Sequence, residues 1–115
     1  MPEVGVIRNP FGEVVTEVLT ADGAQAITVS GSLVFIDGVT VEATGNRTIN
    51  LTIDSELRKG ARIIVESKTN AVETTIFGTG ITGATITGVA GKTKVTEFVY
   101  NGSAFVNSGT PVQID

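Results

Sequence analysis

The chain contains no cysteine, no histidine and no tryptophan among its 115 residues, and aromatic residues make up only 5% of it. Without cysteine there are no disulfides, so stability must come from apolar burial or from oligomerisation. Zinc and copper sites lose their usual ligands when histidine and cysteine are both missing, and the commonest general base is also absent. These absences predict a protein that is not an enzyme and that binds no metal or other cofactor.

Positive charge is also scarce. Eight Lys and Arg residues stand against twelve Asp and Glu residues, which gives a formal net charge of −4 at pH 7. Nucleic acids and anionic membranes are bound by basic surfaces, so we expect neither as a partner. No apolar run approaches the roughly 20 residues that span a bilayer. The N-terminal sequence MPEVGVIRNP lacks the basic-then-apolar pattern of a signal peptide.

The residues that are abundant favour β-structure. Val, Ile and Thr are β-branched and favour strands, while fourteen glycines indicate many tight turns. A chain of this length is enough for one domain, with a core that must be mainly aliphatic. The composition therefore predicts a single all-β domain.

Two dipeptides predict β-hairpins. Asp37-Gly38 follows one apolar run and precedes another, and a two-residue turn there would place Val34 opposite Val41. The stretch LVFI before this turn is apolar on both faces, which is typical of strands that are covered on both sides. Leu33 and Phe35 are therefore candidates for a subunit interface. Simple exposure, or coverage by the N-terminal segment, is the alternative reading of these two residues.

The second hairpin signal is Asn101-Gly102, since Asn-Gly between β-prone runs is the strongest short-range indication of a type I′ turn. A two-residue turn would place Phe98 opposite Phe105. We interpret Asp37, Gly38, Asn101 and Gly102 as turn scaffold residues.

The N-terminal 25 residues are the least regular part of the chain. They are read either as an extended arm that ends in a strand or as a partly ordered terminus. If the arm anchors the protein, its apolar residues Phe11, Val14 and Val18 join Leu33 and Phe35 as candidate partner contacts. The predicted organisation is thus an arm over 1–25 and a β domain over 26–115.

Several segments together resemble the small β-rich domains of tailed-bacteriophage structural proteins, such as head fibres, capsid decoration proteins and tail-fibre modules. The resemblance covers about residues 20–108. It is carried by Asp22-Gly23 before ITV, by TINLTI at 48–53, by ARIIV at 61–65, by the Gly/Thr-rich segment 78–92 and by EFVYNGSAFV at 97–106. It implies a non-enzymatic protein that is often trimeric, that attaches to the virion by one terminus, and that has no catalytic residues. The chain departs from these domains in lacking Trp and an aromatic-rich receptor surface.

Composition, patterning and resemblance together predict an all-β fold, namely a single-domain antiparallel sandwich or jelly-roll-like barrel with an N-terminal arm. The expected function is that of a non-enzymatic virion structural protein of the capsid decoration or head-fibre type. It would form a homo-oligomer, with a trimer favoured, and bind the major capsid protein or another virion protein at the capsid surface. The alternative is a carbohydrate-binding or adhesin module that binds host glycans, for which Tyr100, Phe77 and Phe11 are the aromatic residues at hand.

Overall fold

The computed structural model describes residues 14–115, which form strands and connections with no helix among them. The all-β prediction is therefore confirmed. The strands are β1 Val15–Val18, β2 Gly23–Val29, β3 Leu33–Ala43, β4 Arg47–Ile53, β5 Arg62–Thr69, β6 Thr74–Phe77, β7 Ile81–Thr82, β8 Ile86–Thr87, β9 Thr93–Tyr100, β10 Phe105–Asn107 and β11 Val112–Gln113.

The strands form two sheets, and the first part of the chain alternates between them. The seven-stranded sheet has the order β1-β3-β5-β9-β10-β7, with β11 also paired to β9. The four-stranded sheet has the order β2-β4-β6-β8. Each passage from the large sheet to the small one and back makes one coil of the chain, and the next coil lies beside it.

This coiling makes much of the pairing parallel, which differs from the antiparallel sheets expected from the sequence. In the large sheet β1, β3 and β5 run parallel, and in the small sheet β2, β4 and β6 do the same. The direction reverses only near the C-terminus, where β9 is antiparallel to β5 and β8 is antiparallel to β6. Parallel neighbours need a crossover connection. Here that crossover is a strand of the opposite sheet.

One apolar core lies between the two sheets. It combines inward-facing residues of the small sheet, such as Ile27 and Ile49, with those of the large sheet, such as Ile36 and Ile63. The alternation in TINLTI correctly predicts a strand with Ile49 and Leu51 buried, since both lie on the core side of β4. Burial of such side chains contributes about 1.5–3 kcal/mol each to folding.

The core also contains a cation. Arg47, the first residue of β4, is only 1% exposed. Its Nη1 donates to the carbonyl oxygen of Val41 at 3.0 Å, and its Nη2 donates to Gly38 O at 3.1 Å and to Ser67 Oγ at 2.8 Å. Longer bonds of 3.3 Å reach the carbonyls of Thr20 and Lys68. One guanidinium therefore joins β3, β5 and the connection after β1.

The hairpin predicted at Asp37-Gly38 is wrong, because Leu33–Ala43 is a single strand of 11 residues. Val34 pairs with Val15 and Ile63 rather than with Val41. Gly38 does not have a left-handed backbone; it marks an irregularity in the pairing of β3 with β5. A Cβ atom at Gly38 would lie 2.6 Å from Glu66 O and 2.8 Å from Arg47 Nη2, so glycine is required there by close approach.

The C-terminal hairpin exists, but its register differs from the predicted one. The turn spans residues 101–104, and Tyr100 pairs with Phe105 while Phe98 pairs with Asn107. Asn101 Oδ1 accepts hydrogen bonds from the backbone N–H groups of Ser103 and Ala104, which lengthens the turn. Gly102 has φ of +100°, the conformation that glycine adopts without strain.

The predicted boundary at residue 25 falls inside β2, so the last part of the expected arm belongs to the two sheets. β1 pairs with β3, and Gln25 holds the connection between β1 and β2. The side-chain amide of Gln25 donates to Val18 O at 3.0 Å, and its oxygen accepts from Thr20 N at 2.9 Å. Residues 1–13 of the expected arm lie outside the described residues.

A Gly38→Ala variant tests the close approach at the middle of β3. We expect it to lower the free energy of unfolding by about 1–3 kcal/mol, since the added methyl group meets backbone that cannot rotate away. Gly109→Ala is the matched control, because a Cβ at Gly109 meets nothing within 4 Å. Urea denaturation of both variants measures the difference. Equal stabilities would contradict the packing described for Gly38.

Arg47→Met tests the buried cation. The variant keeps most of the side-chain volume but leaves buried acceptors without a donor, at a cost of about 1–3 kcal/mol for each such group. We expect a loss of at least about 3 kcal/mol in the free energy of unfolding, measured by urea denaturation.

Arg62→Met is the control for that change. The Arg62 side chain is 62% exposed and forms a surface ion pair with Glu97 at 3.4 Å, so its removal should cost about 1 kcal/mol or less. Similar losses in the two variants would show that the Arg47 hydrogen bonds contribute little.

Candidate interaction surface

The most unusual surface of the described structure is the solvent side of the seven-stranded sheet. In β3, Val34 and Ile36 are fully buried in the core, and the alternating Leu33 and Phe35 lie on the opposite face, where both are half-buried. In a sheet that has one face exposed to solvent, the strands normally alternate between apolar and polar residues. β3 departs from that pattern, because it is apolar on both sides.

Cross-strand pairing extends this apolar character over the sheet. Residues that pair across neighbouring strands share a face, so the rows can be followed from one strand to the next. Three such rows cross the outer side of the large sheet. The first row contains Leu33, Arg62, Val99 and Val106. The second contains Phe35, Ile64 and Glu97, and the third contains Val18, Asp37, Glu66, Val95 and Val112. We call the apolar members of these rows the outer apolar face: Val18, Leu33, Phe35, Ile64, Val95, Val99, Val106 and Val112.

Charged residues are interspersed in the same rows. Arg62 Nη1 lies 3.4 Å from Glu97 Oε2, and both side chains are exposed, so this ion pair contributes about 1 kcal/mol or less. Glu66 pairs with Asp37 across β5 and β3. Charges of both signs therefore lie among the apolar residues of this face, on the central strands β3, β5 and β9.

The structure brings together three of the residues predicted for a partner interface. Val18 of β1 is 43% exposed and lies on the same face as Phe35 and Leu33 of β3. Val14, just before β1, is 51% exposed. Phe11 lies outside the described residues.

Sequence reasoning missed the β9, β10 and β11 members of the outer apolar face. Val95 and Val99 occupy alternate positions of β9, opposite the buried Thr96 and Phe98. That alternation is visible in the sequence TKVTEFVY and could have identified both residues as belonging to one face. Their position beside Ile64 could not be found locally, since it depends on the pairing of β9 with β5.

Asp37 has a local role in β3 rather than a role in a turn between two strands. Its Oδ1 accepts from Val39 N at 2.8 Å and from Thr40 N at 3.0 Å, and Oδ2 accepts from the Thr40 hydroxyl. These hydrogen bonds, led by the Thr40 hydroxyl, lower the pKa of Asp37 below its ordinary value. The carboxylate thus fixes the backbone of β3 at residues 37–40, where the pairing of β3 with β5 becomes irregular.

A second surface feature is an open cleft of about 430 Å³. Ser30, Ser32 and the connection 56–61 line it, with Arg58 and Lys59 as its cations and Glu56 as its anion. The charged side chains that line this cleft are exposed, and mixed charge of this kind is typical of a solvated connection.

Among residues 14–115, no group of three or more Asp or Glu side chains converges so as to hold a metal ion.

The part of the chain that the structure describes also has no helix long and apolar enough to cross a membrane.

Comparison with known proteins adds no relative: no protein-family model matches the chain, and no curated protein does either.

The Asp37 carboxylate gives a pH-dependent prediction. Its folded-state pKa is depressed, so its contribution to stability is present above the ordinary aspartate pKa and is lost as the pH falls through the folded-state value. Thr40→Val keeps the shape of the side chain and removes the main donor. We expect the pKa of Asp37, followed by NMR titration, to rise toward its ordinary value in this variant.

Thr52→Val is the matched control, because Thr52 is exposed on β4, a strand of the other sheet. It should leave the titration of Asp37 unchanged. An unchanged titration in Thr40→Val as well would contradict the hydrogen-bond origin of the shift.

Proposed function

We propose that this chain is a non-enzymatic bacteriophage virion structural protein of the capsid decoration or head-fibre type. It assembles as a homo-oligomer, with a trimer favoured, and contacts the major capsid protein or another virion protein at the particle surface. The outer apolar face is the observation that carries this proposal. The resemblance of residues 20–108 to phage structural domains supplies the class of particle.

The first step of the argument is that this face is more apolar than a solvated sheet requires. The central parallel strands β3 and β5 contain the runs LVFI and IIV, which are apolar on both sides. Runs of this kind are typical of sheets covered on both faces. The core covers one face of the large sheet, and a partner protein would cover the other.

The second step concerns the kind of partner. The net charge of −4 disfavours nucleic acid and anionic lipid. A face that mixes apolar side chains with charges of both signs matches the average composition of non-obligate protein interfaces. A protein partner, either a second copy or a capsid subunit, therefore fits this face best.

The carbohydrate-binding alternative needs exposed aromatic rings that stack on sugars. Tyr100 is only 9% exposed, its ring lies 5.1 Å from that of Phe105, and its hydroxyl donates to Gly102 O. The Phe77 ring contacts Phe98 edge-on at 4.6 Å. Both rings are thus engaged in packing, which favours the virion proposal over the glycan one.

Particle composition tests the proposal directly. Virions of the phage that encodes this chain, purified by density gradient, should contain the protein in stoichiometric amount by mass spectrometry. Antibodies against the folded protein should label the capsid surface in electron micrographs. Purified virions that lack the protein would overturn the proposal.

A surface variant tests the role of the outer apolar face. The double change Leu33→Ser and Phe35→Ser removes two apolar side chains that would each contribute about 1.5–3 kcal/mol when buried in an interface. We expect binding to purified capsids that lack the protein to weaken by at least about tenfold.

The matched control is Val72→Ser with Ile76→Ser. These residues are 70% and 40% exposed, and neither belongs to the large sheet. The control pair should bind capsids as the unchanged protein does. Equal losses in both double variants, with both proteins folded by circular dichroism, would show that the interface lies elsewhere.

A further inference from the structure

The edge strand β2 has features that natural proteins usually avoid. Among residues 14–115 it pairs only with β4, and it spans seven residues, Gly23–Val29, with no charge and no proline. The other outermost strands are shorter: β1 has four residues and contains Glu17, while β7 and β8 have two each. Exposed edges are commonly protected by charges, proline, bulges or short length. β2 has none of these protections along its length.

The hydrogen bonds of β2 show which backbone groups face outward. Gly23 N donates to Asn46 O at 2.9 Å, and Val29 O accepts from Asp54 N at 2.9 Å, so the odd-numbered residues point toward β4. In a parallel pair, the N–H and C=O of alternate residues point to opposite sides of the strand. The backbone groups of Ala24, Ala26 and Thr28 therefore point away from β4, and all three residues are exposed.

We propose that this edge pairs with the same edge of a second copy of the chain, antiparallel and about a two-fold axis at Ala26. In this register Ala26 lies opposite its symmetry mate, and Ala24 lies opposite Thr28 of the second copy. All of these are residues whose backbone groups face outward, so each pair exchanges both of its backbone hydrogen bonds. The two small sheets become one continuous sheet across the axis.

Charge and side-chain size favour a second copy as the occupant. The pairing places small residues opposite small residues, and at its ends Asp22 of one copy lies opposite Ser30 of the other. No like charges face each other, although the chain carries a net charge of −4. Because the contact is isologous, it closes after two copies and does not propagate.

This contact does not depend on the virion proposal, and it uses a different surface from the outer apolar face. Two-fold and three-fold contacts coexist in assemblies of dihedral symmetry, so it is also compatible with the proposed trimer. The Leu33/Phe35 double variant leaves β2 unchanged. Failure of one proposal can therefore be told from failure of the other.

Cross-linking gives the sharpest test, because the chain contains no cysteine. A hydrogen-bonded antiparallel pair places its Cα atoms about 5.5 Å apart, within the range that a disulfide spans. Ala26→Cys should form a disulfide-linked dimer under mild oxidation. Thr87→Cys, on the other outermost strand of the same sheet, should remain largely uncross-linked. Equal yields in the two variants would overturn the proposal.

Charge at the axis gives the second test. Ala26→Lys places two cations opposite each other in the dimer, and the dissociation constant from sedimentation velocity should rise at least about tenfold. Thr87→Lys adds the same charge at the far strand and should leave association unchanged.

Hydrogen exchange supplies a readout that does not depend on any variant. The amides of Ala24, Ala26 and Thr28 should gain protection as concentration rises, and protection independent of concentration would overturn the proposal.

Discussion

The buried guanidinium of Arg47 is the interaction on which the coiled arrangement depends. Moving an ion from water into a protein interior costs several kcal/mol unless hydrogen bonds replace its hydration. Burial lowers the pKa of this group, while Asp37 and Glu73 partly oppose that change. The replacement comes mainly from backbone carbonyls of β3, β5 and the connection after β1, together with the Ser67 hydroxyl. Strands from both sheets must therefore be in place before the charge is satisfied.

The same cation explains the irregular middle of β3. Its Nη2 group occupies the space beside Gly38 and donates to Ser67 Oγ. Ser67 Oγ in turn lies 2.9 Å from Thr75 Oγ1 of the small sheet, within hydrogen-bond distance. A polar connection thus crosses the core from one sheet to the other. Both Nη groups of Arg47 and the Ser67 hydroxyl are hydrogen-bonded in this connection, whereas Arg47 Nε is buried without a hydrogen-bond partner among residues 14–115.

The local β-pattern of the chain could be read from its sequence, but the long-range pairing could not. The alternation around Ile49 and Leu51 identifies β4, because burial on one face leaves a period of two. Asp37-Gly38 led to a wrong hairpin prediction, because the same dipeptide suits both a turn and an irregularity within a strand. The contact that favours the irregularity here is made by Arg47, whose Nη2 donates to Gly38 O from nine residues away. For the candidate surface, Leu33 and Phe35 were identifiable within one strand. The contribution of Val95 and Val99 depended on which distant strand lies beside β5.

The reversal of strand direction at β9 and β8 sets where the parallel coil ends. Parallel coils can in principle be extended by further coils at either end, as in solenoid proteins, whose ends need capping. Here β9 and β8 run antiparallel to the last coil, so the parallel repeat stops there. At the other side of residues 14–115, β1 and β2 are the outermost strands. Copies stacked end to end in one orientation would therefore bring β2 antiparallel to β8, so they would not continue the parallel coil.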